Sequence, residues 1–208
     1  MKPIDFTLEQ PTDLDEAMAI LAEYTDDCKI LAGGQSLIPL LNYRLARPER
    51  LVDVSRIAEL HGIRADNDAL VIGAMVTYAE LLRSSEVAHA IPLLPLALPS
   101  VANIAVRNRG TIGGSAAHAD PAGEMPAVLT ALDAEFSIRS TRGARTVGAA
   151  DFFHGIFDTD LESDEIITSI RIPAAKPHTR FATREVSRRH GDFALVGAFA
   201  AVTVDSDG

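Results

Sequence analysis

Two short stretches of this 208-residue chain place paired glycines between apolar runs and beside small hydroxylated residues. They are Leu31-Ala32-Gly33-Gly34-Gln35-Ser36-Leu37 and Thr111-Ile112-Gly113-Gly114-Ser115. Glycine pairs cost backbone entropy, so the chain must need bare backbone at both places. Bare backbone lets several N–H groups converge without side-chain obstruction, which makes a concave site for an anion. A helix that starts just after such a turn adds unpaired amides and the positive end of its dipole. Ser36 and Thr111 add hydroxyl donors. One cradle of this kind suits a phosphate, and two suit a pyrophosphate. Neither stretch is a P-loop, because Gln35 and Ser36 follow Gly34 where Lys would be required. Neither carries the G-x-G-x-x-G of a dinucleotide fold. Taken singly, each glycine pair also reads as a plain turn; the two together point to a nucleotide.

Few other residues have the spacing that chemistry needs. His61, His89, His154, His178 and His190 are scattered and share no ligand spacing, and His118 follows the second glycine stretch. Cys28 is the one cysteine, which excludes an internal disulfide and a Cys-rich metal or iron–sulfur site in this chain. It reads as a small buried residue beside a strand. No general acid or base stands out. The net charge of −10 argues against a sequence-independent grip on nucleic acid. The longest apolar candidate for a membrane span is broken by Pro92, Pro95 and Pro99, so no transmembrane segment is expected. The first residues lack a basic region followed by an apolar core, so a cytoplasmic location is expected.

Short elements must position the two glycine stretches. Alternation predicts a strand at Ile4–Leu8. A helix with Leu14, Ala17, Met18 and Leu21 on one face follows, with Thr12 as its N-cap. An apolar strand then feeds the first glycine turn, with a short helix over Ser36–Ala46 and a strand over Arg50–Ile57 beyond it. A hairpin with Asp66-Asn67-Asp68 at its tip precedes a helix that begins at Thr77, whose spacing to Glu80 matches a capping box. Broken helical turns are expected in the proline-punctuated region. The second glycine stretch reads as a loop, followed by a helix over Pro121–Leu132 and a strand over Glu135–Ser140. Arg142–Arg145 reads as a turn, Asp151–Phe157 as a loop or short helix, and Glu165–Pro173 as a strand. The final apolar stretch from Leu195 reads as the first arm of a hairpin whose partner is missing. Mixed short strands and helices without regular alternation give an α+β fold class.

The segments ILAGGQSLIPLLNYRLARPERLVDVSRI and RNRGTIGGSAAHADPAGEMPAVLTALDAEF together resemble the FAD-binding (medium) subunit of the molybdenum hydroxylases. Carbon monoxide dehydrogenase and xanthine dehydrogenase belong to that group. EIITSIRIP and REVSRRHGDFALVG resemble its later segments in the same order, so the resemblance runs from about Asp5 to the end of the chain. It implies two α+β subdomains, residues 1–55 and 56–173, that form a PCMH-type FAD-binding domain. Residues 174–208 would then be the beginning of a truncated C-terminal α/β domain.

The resemblance also implies a noncovalent FAD. Leu31, Ala32, Gly33, Gly34, Gln35, Ser36 and Leu37 would hold it on one side, and Thr111, Ile112, Gly113, Gly114 and Ser115 on the other. Glu124 falls where an acid lies near the ribose or adenine, and it reads equally as an acid favoured at a helix N-terminus. Ile167 would pack on the FAD or belong to the core. Arg184 stands where Lys is common, and Phe193, after Asp192, stands where Tyr is common near the flavin ring. A small iron–sulfur subunit with two 2Fe-2S clusters and a large subunit with the molybdenum cofactor are the implied partners, as a dimer of heterotrimers. Electrons would pass from the clusters to FAD and then to a quinone, NAD or another acceptor. Two other readings are a docking subunit without FAD and a flavin oxidase of the vanillyl-alcohol-oxidase type.

Overall fold

The computed structural model describes residues 2–204. Strands β1 (Thr7–Glu9), β2 (Cys28–Leu31) and β3 (Arg50–Asp53) form a parallel sheet in the order β1-β3-β2. Thr7 and Cys28 flank Arg50 from opposite sides. Parallel neighbours require crossover connections. Helix α1 (Leu14–Tyr24) joins β1 to β2, and α2 (Leu37–Asn42) lies between β2 and β3. The N-cap of α1 is Asp13, one residue beyond the expected Thr12: its carboxylate accepts the Glu16 N–H at 2.8 Å. Thr12 instead donates its N–H to the Glu16 carboxylate at 3.2 Å. Leu14, Ala17, Met18 and Leu21 are buried as the periodicity predicts. They pack with Cys28, Val52, Val54 and Ile57 in a core that also takes in Met75 and Ile166 from later in the chain.

The second sheet is built from β4 (Ile63–Asp66), β5 (Ala69–Gly73), β6 (Glu135–Ser140), β7 (Gly143–Gly148) and a later long strand. The hairpin of β4 and β5 turns at Asn67-Asp68, with Asn67 at φ 53°. Asn tolerates that left-handed conformation better than most residues. Between β5 and β6 the chain is helical: α3 (Tyr78–Arg83), α4 (Ser85–Ala90), α5 (Leu93–Ala97), α6 (Ile104–Arg107), α7 (Ile112–His118) and α8 (Glu124–Ala131). The capping box at Thr77 and Glu80 is present, with Thr77 N–H to Glu80 Oε2 at 2.8 Å and Glu80 N–H to Thr77 Oγ1 at 3.2 Å.

After β7 come α9 (Ala149–Phe152), the short strands β8 (Phe153–Gly155) and β9 (Asp158–Thr159), and the central strand β10 (Ile166–Pro173). The sheet order is β4-β5-β10-β6-β7, antiparallel throughout. The expected turn over Arg142–Arg145 is shorter than read: Gly143, Ala144 and Arg145 belong to β7. The reason lies outside the local sequence. Arg142 and Arg145 pair with Asp160, Asp164 and Glu165 of the segment before β10, which fixes β7 along the sheet edge. Helices and sheet enclose the larger core, where the Phe136 and Phe152 rings stack with centroids 4.0 Å apart.

The last two strands, β11 (Thr179–Ser187) and β12 (Ala194–Thr203), pair with each other. The apolar stretch from Leu195 is therefore the second arm of a hairpin, and β11 is the arm that the sequence reading took to be missing. Phe181 and Phe199 turn inward onto the larger core. No helix among the described residues is long and apolar enough to cross a membrane.

Candidate functional site

The two glycine stretches meet. The first runs from the end of β2 into α2, and the second opens α7. The Cα of Gly33 lies against the Arg109 carbonyl and Gly110, so that a Cβ there would come within 2.2 Å of the Arg109 oxygen. A Cβ on Gly114 would lie 3.2 Å from that of Ala32. Gly113 has a like reason, since its Cβ would meet Ala74 at 2.5 Å. Close approach of backbone to backbone accounts for Gly33 and Gly113. Gly34 differs: its φ of +72° is a left-handed conformation that turns the chain into α2.

The first stretch keeps the free amides that an amide cradle would need. The N–H groups of Gly33, Gly34, Gln35 and Ser36 meet no acceptor among the described residues. Gln35 folds back and donates its side-chain amide to the Gly33 carbonyl at 3.1 Å. Ser36 makes no side-chain capping bond to α2, so its exposed hydroxyl is available to a ligand. Leu31 and Leu37 are half-buried at the two ends of the turn.

The second stretch departs from expectation. It is the first turn of a helix, not a loop, and its amides are engaged within the protein. Ile112 N–H donates to Val76 at 3.0 Å, Gly113 to Ala74 at 2.9 Å, Ser115 to Thr111 at 3.1 Å, and Gly114 to the Thr111 hydroxyl at 3.1 Å. Thr111 is the N-cap of α7 and is 3% exposed; Ile112 is fully buried. Hydroxyls, not convergent amides, are what this wall can offer.

Other expected residues fall in different places. Glu124 is the first residue of α8 and is 9% exposed. Burial pushes its carboxyl above the ordinary range, and the nearby Glu185 and Asp120 add to the rise. Tyr78, 4% exposed, lies near Ser115 and Glu124, and burial raises the pKa of its phenol. Ile167 is 5% exposed and belongs to the larger core. Arg184 sits on the exposed face of β11. Strand alternation turns the next residue, Glu185, inward, and its Oε2 is buried without a hydrogen-bond partner. The inward neighbour of Glu124 is thus Glu185, which the sequence reading passed over. The His118 ring packs on Phe157, 5.0 Å between centroids. No group of three His, Cys, Asp or Glu among the described residues is arranged to hold a metal ion.

The chemistry of these residues suits a nucleotide's diphosphate, because four backbone amides with no acceptor among the described residues lie in a turn that touches the second stretch, and Ser36 and Ser115 add hydroxyls. Residues 4–175 match the family described as the FAD binding domain in molybdopterin dehydrogenase. The chain is 47% identical over 199 residues to the caffeine dehydrogenase subunit beta of a Pseudomonas species, covering 95% of this chain and 68% of that one. It is 41% identical to subunit alpha of the 6-hydroxypseudooxynicotine dehydrogenase complex of Paenarthrobacter nicotinovorans, covering 100% of this chain and 70% of that one. Among solved structures, carbon monoxide dehydrogenase from Hydrogenophaga pseudoflava superposes with a TM-score of 0.97 at 41% identity, over 99% of this chain and 72% of that chain. Quinoline 2-oxidoreductase from Pseudomonas putida 86 does so with a TM-score of 0.94 at 43% identity, over 99% and 71%. The chain belongs to the FAD-binding domain family of the molybdopterin dehydrogenases, the flavoprotein component of oxidoreductase complexes.

Proposed function

We propose that this chain is the electron-exit subunit of a three-subunit molybdenum hydroxylase. A small partner with two 2Fe-2S clusters delivers electrons, and a large partner with the molybdenum cofactor hydroxylates the substrate and chooses it. The bound FAD supplies the ability to take electrons singly and give them up singly or in pairs. The protein's part is to hold that group in place. The amides of Gly33, Gly34, Gln35 and Ser36 hold the pyrophosphate, with the Ser36 and Ser115 hydroxyls beside it and Glu124 toward the ribose. The outgoing electrons go to an external acceptor such as a quinone or NAD. We further propose the division into residues 1–55, 56–173 and 174–208, assembly as a dimer of heterotrimers, and a cytoplasmic location.

The observation that carries this reading is the row of amides at Gly33–Ser36 that meet no acceptor among the described residues, against a second wall that touches the first. Gel filtration of the chain with added FAD tests the first half: one flavin should travel with each chain, whereas a colourless protein would favour the docking reading. Purification of the tagged chain from its native cells tests the second half. An iron–sulfur protein and a molybdenum protein should come with it, and their absence would sink the three-subunit assembly.

A further inference from the structure

Arg107, the last residue of α6, spends its guanidinium on main-chain carbonyls. Nη1 donates to Val101 at 2.7 Å and to Ala102 at 2.9 Å, with Pro99 farther off at 3.4 Å. These bonds reach back to the segment that enters the helix. Ala102 has φ 42°, a left-handed conformation that a residue with a Cβ keeps only where its surroundings hold it. The same carbonyl supports the turn between β11 and β12. A Cβ on Gly191, itself at φ +83°, would lie 2.7 Å from the Ala102 oxygen.

Beyond its other end α6 supports the first glycine stretch, where the Arg109 carbonyl and Gly110 meet Gly33. The helix is therefore a strut with the Gly33–Ser36 amides at one end and the β11–β12 turn at the other. Arg109 stands seven positions beyond Ala102. At the rise of a helix that is about 10 Å, a span comparable with the arm that joins the diphosphate of FAD to a ring. The two ends are held separately. Near Gly33, Gly110 donates its N–H to Val106 at 2.7 Å and accepts the Tyr78 N–H at 3.1 Å. Near Gly191, Arg107 holds the carbonyls. We propose that Arg107 is a positioning residue for FAD: by clamping the Val101 and Ala102 carbonyls it keeps the β11–β12 turn at a fixed distance from the amides, and the turn closes the far end of the nucleotide site. This inference rests on the FAD reading of the same site. Arg188 and Arg189, exposed in the turn, let trypsin report on it.

The test titrates the full apo chain with FAD, read by flavin fluorescence, for the wild type, Arg107→Met, Gly191→Ala and the double variant. Thermal unfolding of each apo protein is measured alongside. Each chain is also digested with trypsin, without FAD and with FAD at about ten times its own Kd. In the wild type, FAD should slow cleavage after Arg188 and Arg189 about tenfold, the factor expected when only the ligand-free chain releases the turn. Arg107→Met should weaken FAD binding about tenfold, the size of a hydrogen bond from a charged donor. It should also lose the protection, although saturation is matched. Gly191→Ala drives the turn off Ala102 with Arg107 intact and should act likewise. The double variant should bind no more weakly than the weaker single variant, since both changes break one contact. An arginine that only stabilises the fold would lower the unfolding temperature and leave the protection intact at matched saturation, and this pattern would overturn the proposal. So would wild-type affinity in either single variant. Where Arg107→Met fails to fold, Gly191→Ala decides the matter. FAD uptake with a wild-type turn cut equally fast sinks this inference alone, whereas a wild-type chain that takes up no FAD refutes the flavin reading first and this inference with it.

Discussion

Gly33 rests its Cα on the Arg109 carbonyl, at a separation that would put any Cβ 2.2 Å from the oxygen. This contact makes one site out of two stretches that lie more than seventy residues apart in sequence. Gly33→Ala must push them apart, and the expected cost is about 1–3 kcal/mol of stability, as for other overpacked positions, together with loss of FAD uptake. Gly34→Ala meets softer neighbours, the side chains of Ile38 and Leu31, and its cost of about 1–2 kcal/mol comes from the left-handed backbone. Denaturant unfolding of the two variants checks the order. Equal, negligible losses would show that the walls do not need this contact.

Gln35→Glu should separate binding from folding. The amide that holds the Gly33 carbonyl at 3.1 Å becomes an acceptor facing an acceptor, and a negative charge enters the amide cradle. The side chain is exposed, so stability should change by no more than about 0.5 kcal/mol. FAD affinity should fall by at least about tenfold, the equivalent of about 1.4 kcal/mol. Fluorescence titration of the variant measures this directly, and unchanged affinity would mean that the phosphates do not lie at this turn.

Much of this arrangement is written locally in the sequence. The capping box at Thr77, the polar tip at Asn67, the strand Ile166–Pro173 and the apolar face of α1 each follow from spacing within a few residues. The second glycine stretch does not. Paired glycines are poor helix formers, and α7 forms there because Thr111 caps it and because Gly113 must pack on Ala74, nearly forty residues earlier. Strand β7 escapes a periodicity reading because its Arg145 answers to carboxylates at Asp160 and Glu165, not to an apolar face. Tyr78 and Glu185 carry no local mark at all. One looks like an ordinary helix start and the other like one more charge on a strand, and only the packing of α3, α7, α8 and β11 brings them to the site.

Arg145 and Arg171 are both arginines with several carboxylate partners, and they should behave differently. Arg145 donates to Glu165 at 2.8 and 2.6 Å, and the Glu165 side chain is 5% exposed. Arg145→Met leaves that carboxylate buried with the Glu162 N–H and only the more distant Arg142 as a cationic partner, at an expected cost of about 3 kcal/mol near neutral pH. The partners of Arg171 are Asp66, Asp68 and Glu135, all well exposed, so Arg171→Met should cost less than about 1 kcal/mol. Arg145 holds the Glu165 carboxyl below its usual range. Its contribution is therefore complete above the ordinary carboxylate pKa and is lost as the pH falls through the lowered value. Urea unfolding from about pH 7 to about pH 3 should show wild type and Arg145→Met converging toward the acid end; a gap that stays constant would remove Glu165 from the account.

Glu124 should show the opposite sign. Burial, Glu185 and Asp120 raise its carboxyl, so the folded chain holds a proton there that the unfolded chain has already released. Stability linked to this group is complete below the ordinary carboxylate pKa and declines as the pH climbs through the raised value. Glu124→Gln removes the penalty, and the apo variant should be more stable than wild type at neutral pH, with the gain fading toward acid. If the carboxylate also accepts a ribose hydroxyl of FAD, the same variant should bind FAD about tenfold more weakly. Thermal unfolding of the apo chain across pH, paired with FAD titration, reads both effects. A gain in stability with no loss of affinity would make Glu124 an acid tolerated at the start of α8 with no part in the site. A loss of both would make it a packing residue, whereas opposed shifts identify a group kept at a cost to the fold because the cofactor needs it.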